Sequence, residues 1–115
     1  MSELPAHATW SDFERVGLRV GVIRKVEPFP EARTPAYKLW IDFGAFGIRQ
    51  SSAQLTALYS AADLIDRQVI CATGLGTKRV AGFKSEVLVV GALDETEGVV
   101  LLQPDKPVAL GSRIA

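Results

Sequence analysis

The residues able to do chemistry are few and poorly placed for it. The 115-residue chain has one histidine, His7, and one cysteine, Cys71. A zinc site needs several such ligands at close spacing, and a Ser-His-Asp triad needs a histidine held by a fold. His7 lies in a lead-in and reads as a solvated tail residue. Cys71 lies inside the apolar run from Val69 to Thr73 and reads as a small buried core residue. Gly74-Leu75-Gly76-Thr77-Lys78-Arg79 is glycine-rich and basic. A dinucleotide fingerprint would need glycine at position 79, a phosphate loop would need Gly-Lys-Ser/Thr, and both would need a helix to follow. Asp94, Glu95 and Glu97 read as a solvated hairpin loop. The expectation is a chain that is not an enzyme and has no catalytic residue, metal or cofactor.

What remains is a binding surface. Tyr37, Leu39, Ile41 and Phe43 alternate with Lys38, Trp40 and Asp42, the period of a strand with one buried face. Lys38 and Trp40 therefore share the opposite face. A cation beside an aromatic ring suits a stacked base and its phosphate, and equally an extended peptide whose apolar side chains meet Trp40 or Phe83. As plain strand residues, Lys38 would be solvated and Trp40 packed under a neighbour.

The charges are 13 basic against 13 acidic, but they are segregated. Residues 15–49 hold seven bases against three acids, and residues 78–84 hold three bases and no acid. Residues 85–105 hold five acids and no base. A basic cleft on a neutral protein is expected, without the long-range field that steers polyanions.

These residues must be positioned by strands. Ser11 is expected to cap a short helix carrying Asp12 and Glu14. Val16, Leu18, Val20 and Val22 mark the buried face of a first strand ending near Val26. Pro28, Pro30 and Pro35 make residues 28–36 a loop. Tyr37–Phe43 is a second strand, and Ile48-Arg49-Gln50 resumes an extended segment. From Ser52 to Asp66 the spacing of Leu55, Leu58, Tyr59, Ala62 and Ile65 predicts helix, capped by Ser51 or Ser52, with a second turn opened by Ser60 and Asp63. Val69–Thr73, Val87–Val90 and Val99–Leu102 are further strands, with Asp94–Gly98 as a hairpin between the last two. Gly111 precedes a short tail. The fold class is all-β: a partly open five-stranded OB-fold barrel with a small helix between strands 3 and 4. Residues 1–115 form one domain, of which 1–9 are a loose lead-in.

No apolar run reaches the length of a membrane span, the first residues lack the cationic start and apolar run expected of a secretory signal, and one cysteine permits no intrachain disulfide. The expected setting is cytoplasmic, without membrane insertion.

Several blocks carry a resemblance. Val20-Gly21-Val22-Ile23, Glu27-Pro28-Phe29-Pro30-Glu31-Ala32-Arg33 and Pro35-Ala36-Tyr37-Lys38-Leu39-Trp40-Ile41-Asp42-Phe43-Gly44 resemble the CsaA family of export-related chaperones. So do Gln50-Ser51-Ser52-Ala53-Gln54-Leu55, Ala81-Gly82-Phe83-Lys84-Ser85-Glu86-Val87-Leu88-Val89 and Leu101-Leu102-Gln103-Pro104-Asp105-Lys106-Pro107-Val108. That family sits within the wider group of tRNA-binding OB domains. The resemblance implies a homodimer that binds unfolded preproteins or peptides without ATP, with a tRNA-binding module as the alternative. It places the binding cleft on Lys38, Arg49, Ser51, Ser52, Lys78, Arg79, Phe83, Lys84 and Ser85, beside Trp40. It places the dimer interface on the N-terminal helix and C-terminal strands, here Trp10, Phe13, Val100, Leu102 and Pro104. Two departures separate the chain from the tRNA-binding relatives. Ser51-Ser52-Ala53 stands where they carry a Ser-Gly-Ile-type turn, and Ser85-Glu86-Val87-Leu88 where they carry Ser-x-Gly-Met. Thr73-Gly74-Leu75-Gly76-Thr77 replaces the CsaA pattern Asn-Phe-Pro-Pro, which predicts a more mobile loop there.

Overall fold

The structure, a computed structural model, describes residues 3–115. Met1 and Ser2 of the expected lead-in lie outside the described residues, and residues 3–9 are exposed and carry no regular element. Helix α1 spans Trp10–Val16. Its cap is Thr9 rather than Ser11. The Thr9 hydroxyl accepts the Asp12 N–H at 3.1 Å, and the Asp12 carboxylate accepts the Thr9 N–H at 2.9 Å. Asp12 stands three residues after Thr9, and that reciprocal spacing selects the cap. Gly17, at φ 67°, ends the helix in the left-handed conformation that glycine adopts without strain.

Strand β1 (Leu18–Pro28) is the hub of the barrel. Its first half pairs antiparallel with β4 (Gln68–Ala72), and its second half with β2 (Tyr37–Asp42). β2 pairs along its length with β3 (Ile48–Ala53). β4 pairs briefly with β7 (Leu88–Val89), giving one sheet in the order β3-β2-β1-β4-β7. The seam between its two edges is closed near Gln50, whose carbonyl accepts the Glu86 and Val87 N–H groups at 2.8 and 3.4 Å. The result is the expected five-stranded antiparallel OB-type barrel, with helix α2 (Ala61–Leu64) between β3 and β4.

Within β1 both faces are buried, the expected one at Val20 and Val22 and also the opposite one. Residues facing the interior are those that oppose Ile41, Val69 and Cys71, namely Ile23, Gly21 and Arg19. Val20 and Val22 are also buried, but they stand outside the interior cluster, on the other face of the strand. A strand buried on both sides loses the meaning of its alternation. Gly21 is required: a Cβ there would sit 2.6 Å from Ile41 and 2.8 Å from the Phe43 ring. A bulge at Arg24 then resets the register, and Arg24 turns out to Asp42 and Asp66, at 3.6 and 3.2 Å.

The helix predicted from Ser52 onward does not form. β3 runs on to Ala53, so Ser51 and Ser52 are ladder residues and not caps. The chain then turns, and only Ala61–Leu64 is helical, opened by the Ser60–Asp63 capping box as expected. Core anchorage overrides the helical spacing. Leu55 and Leu64 both enter the interior, and the Tyr59 hydroxyl is held by the Leu101 N–H at 3.0 Å.

The segment read as one strand over Val87–Val90 is broken. Only β7 (Leu88–Val89) forms within it, and the partner of β9 (Gly98–Leu101) across the expected turn is a separate strand, β8 (Gly91–Asp94). Residues 78–85, unassigned from sequence, form a hairpin of β5 (Lys78–Val80) and β6 (Phe83–Ser85). The tail is no loose end. Gly111, Ser112 and Ile114 exchange backbone hydrogen bonds of 2.8–2.9 Å with Val20 and Leu18. No helix among the described residues is long and apolar enough to cross a membrane.

Cys71 is fully buried among these core residues, and burial pushes its thiol up to about 12. The native protein is expected to resist iodoacetamide at pH 8 and to react only through global opening. The unfolded chain ionises above the ordinary thiol value near 9, whereas the folded chain does not until about 12. Stability should therefore fall as pH rises through that window, and a Cys71→Ala variant should lose that part of the slope in urea titrations.

Candidate functional site

The outer face of β2 carries the sequence-predicted pair. Lys38 opposes Glu27 on one side and Ser52 on the other; Trp40 opposes Lys25 and Gln50. The β5–β6 hairpin folds over this face. Its turn is Ala81-Gly82, with φ of 46° and 81°, the two-residue geometry that matches strand twist. Ala81 is strained there by about 1 kcal/mol relative to glycine.

The hairpin delivers Phe83 into a wall of rings. Phe83 meets Trp40 edge-on at 5.8 Å between centroids and Phe29 at 5.5 Å. Lys38 Nζ stands 4.8 Å from the Phe29 ring centre and 5.3 Å from that of Phe83, and Lys25 Nζ stands 4.6 Å from that of Trp40. Lys25 also pairs with Glu27 at 3.1 Å. Phe29 is buried as the base of the wall, while Phe83, Trp40 and Lys38 are half-buried. An ammonium over a ring face contributes about 0.5–1 kcal/mol at such sites. Beside the wall, the 28–36 segment borders an open, shallow cavity of about 330 Å³ whose lining includes Phe29, Pro30, Pro35 and Tyr37, with Arg33 among them. Phe29 belongs to both. The arrangement can hold an apolar or flat group against ring edges, with cations beside it.

The remaining predicted residues fall in three places. Lys78, Arg79 and Lys84 are exposed on the hairpin, and Arg79 donates to the Gly82 carbonyl at 3.4 Å. Ser52 and Ser85 hold the seam: the Ser85 hydroxyl accepts the Ser52 N–H at 3.1 Å. Arg49 and Ser51 are on the interior-facing side of β3, away from Lys38 and Trp40. Ser51 is fully buried opposite Leu39, and its hydroxyl has no hydrogen-bond partner among the described residues. Ser51→Ala removes that unmet demand and is expected to raise stability by about 1 kcal/mol in urea unfolding, leaving ligand binding at the outer face unchanged.

Of the residues assigned to an interface, Trp10 is 89% exposed, Phe13, Val100 and Leu102 are exposed, and Pro104 is half-buried. α1 has no buried residue. Sequence reasoning does not reach Lys25 or Phe29. Lys25 meets Trp40 only because of the bulge at Arg24, and Phe29 hides among prolines in a segment that reads as loop.

A family model described as a putative tRNA binding domain matches residues 18–113. A crystal structure of chaperone CsaA from Bacillus anthracis superposes with a TM-score of 0.90 at 48% identity, covering 96% of this chain and all of that one. A CsaA chaperone protein from Picrophilus torridus gives 0.89 at 44%, covering 95% of this chain and all of that one. Methionine–tRNA ligase of Thermococcus onnurineus is 38% identical over 94% of this chain, which spans 14% of the ligase.

Proposed function

The chain belongs to the tRNA-binding-domain family, among its CsaA members, and from that premise we propose that it is a non-catalytic chaperone. It holds extended segments of unfolded preproteins, as a homodimer in the cytoplasm and without an ATP cycle. The observation that carries this reading is the wall of Phe29, Phe83 and Trp40 beneath Lys38 and Lys25, continuous through Phe29 with an apolar cavity. Ring edges and an adjoining cavity suit alternate side chains of an extended peptide, and the lysines suit its carbonyls and acidic groups. Pairing is supported by apolar surface that no other described residue covers: α1 with Trp10 and Phe13, and the β8–β9 hairpin with Leu93 and Val100.

A tRNA-binding reading is favoured by one separate feature, the three cations Lys78, Arg79 and Lys84 on the hairpin that borders the same wall. The two readings differ in salt dependence, because phosphate contacts release counterions. A labelled client peptide is challenged with bulk tRNA at low and moderate salt, alongside aggregation of a reduced, unfolded client. Chaperone function predicts suppressed aggregation at equimolar dimer and peptide binding little changed by salt. No suppression, together with tRNA affinity that falls steeply with salt, would transfer the assignment to the second reading.

A further inference from the structure

The two ends of the barrel are unequal. Where β3 leaves and β4 begins, Leu55 and Leu64 fill the interior. At the other end, a cleft of about 370 Å³ opens between the start of β1, the turn from β2 into β3, the loop after β4 with Thr73 and Thr77, and Glu86–Val87. The interior-facing column of β1 ends there in Arg19, and that of β3 begins there with Arg49. One step deeper on the β3 column lies the unpartnered Ser51 hydroxyl. Phe46 and Glu86 also line the cleft.

Neither arginine has a carboxylate within 4 Å among the described residues. Arg19 gives one N–H to the Gly111 carbonyl at 2.8 Å and lies 4.4 Å from the centre of the Phe46 ring. Arg49 donates to the Ile48 carbonyl at 3.2 Å. A guanidinium has five N–H donors, so most of both sets are uncommitted. The Phe46 side chain is 52% exposed, so the stack it forms with Arg19 is open to a further flat group. One Glu86 oxygen accepts the Gln50 N–H at 3.1 Å, and the other remains available as an acceptor.

We propose that this open end of the barrel is a second ligand site, separate from the aromatic wall, that takes a nucleoside 5′-phosphomonoester. Two guanidinium groups match a phosphomonoester, which carries close to two negative charges near neutral pH, whereas a carboxylate or a phosphodiester would satisfy one of them. The open Phe46 ring stacks the base, as aromatic residues do for unstacked bases, and Glu86 receives its exocyclic N–H groups. The volume suits one nucleotide and is at the small end for ligand clefts.

The test is titration of the ¹⁵N-labelled full chain with AMP and, separately, with adenosine, followed by amide shifts. The expected result is saturable binding of AMP below about 10 mM, with shifts at Arg19, Phe46, Arg49 and Glu86. Adenosine and the Arg49→Gln variant should each bind about tenfold more weakly, the loss of a charge-assisted contact. Lys106→Gln, which removes a charge that does not line the cleft, should match the wild type. Competition by a short oligoribonucleotide carrying a 5′-phosphate, and not by its 5′-hydroxyl form, identifies an RNA end as the source; competition by neither identifies the free nucleotide. Equal binding of AMP and adenosine, shifts confined to the Lys38–Phe83 face, or no saturation overturns the proposal. The AMP–adenosine comparison on the unaltered chain keeps the test decisive if Arg49→Gln folds poorly.

Discussion

Replacing Phe83 by alanine is expected to weaken client binding by about thirtyfold, the effect of removing one central aromatic anchor. Phe83 is the ring that touches both of the others, and Lys38 lies over it as well as over Phe29. Without it the wall separates into two unconnected rings, and Trp40 keeps Lys25 as its only stacked neighbour among the described residues. Folding stability should fall by about 2 kcal/mol, because two edge-to-face pairs are lost from a half-exposed position. Phe83→Leu keeps the bulk and loses the ring edges, and should bind at an intermediate strength. The measurements are peptide affinity and aggregation of an unfolded client, with urea unfolding to show that each variant is folded under assay conditions. If Phe83→Ala protects the client as well as the parent does, the wall is packing and nothing more.

The second large effect is on stability. Gly111→Ala is expected to destabilise the protein by about 3 kcal/mol, from a left-handed backbone that alanine resists and from overpacking. Gly111 has φ of 88°, and a Cβ there would stand 2.7 Å from the Phe43 carbonyl oxygen and 3.1 Å from the Phe46 ring. Its N–H donates to Val20 and its carbonyl accepts from Arg19, so the clash lands at the centre of the C-terminal strap. Hydrogen exchange at Ile114, whose N–H donates to the Leu18 carbonyl, should accelerate with it. Unchanged urea unfolding would mean that the strap contributes little to the barrel.

The outer face of β2 is legible in the sequence, and the neighbouring strands are not. Tyr37 to Phe43 alternates strictly, so period two alone puts Lys38 and Trp40 on one face, and the fold keeps them there. β1 offers no such reading, because Val20 and Val22 are buried on one face while Gly21 and Ile23 are buried on the other. Arg49 and Ser51 are sorted from Gln50 and Ser52 only by the register with β2, which a lone strand of polar residues does not reveal. The Leu55–Ile65 spacing imitates a helix, but of its members only Leu55 and Tyr59 reach the core of an irregular connection, while Leu58, Ala62 and Ile65 are exposed. The β5–β6 turn is hidden because Ala81 sits where glycine or asparagine signals such a hairpin. The Ser60–Asp63 box is a purely local device, and four residues of sequence suffice to reveal it.

The seam at Gln50 bears on how the sheet edge would meet an extended chain. β3 would otherwise present a row of unpaired amide groups, the template on which an unfolded segment adds as a further strand. Instead the Gln50 N–H is taken by the Glu86 carboxylate at 3.1 Å and the Ser52 N–H by the Ser85 hydroxyl. Side chains thus cap the edge without lengthening the sheet. At this edge an extended segment would meet side-chain caps on the Gln50 and Ser52 N–H groups in place of free backbone donors. Under the proposed function, a client held by its side chains beside this edge would be kept from adding to the sheet as a further strand.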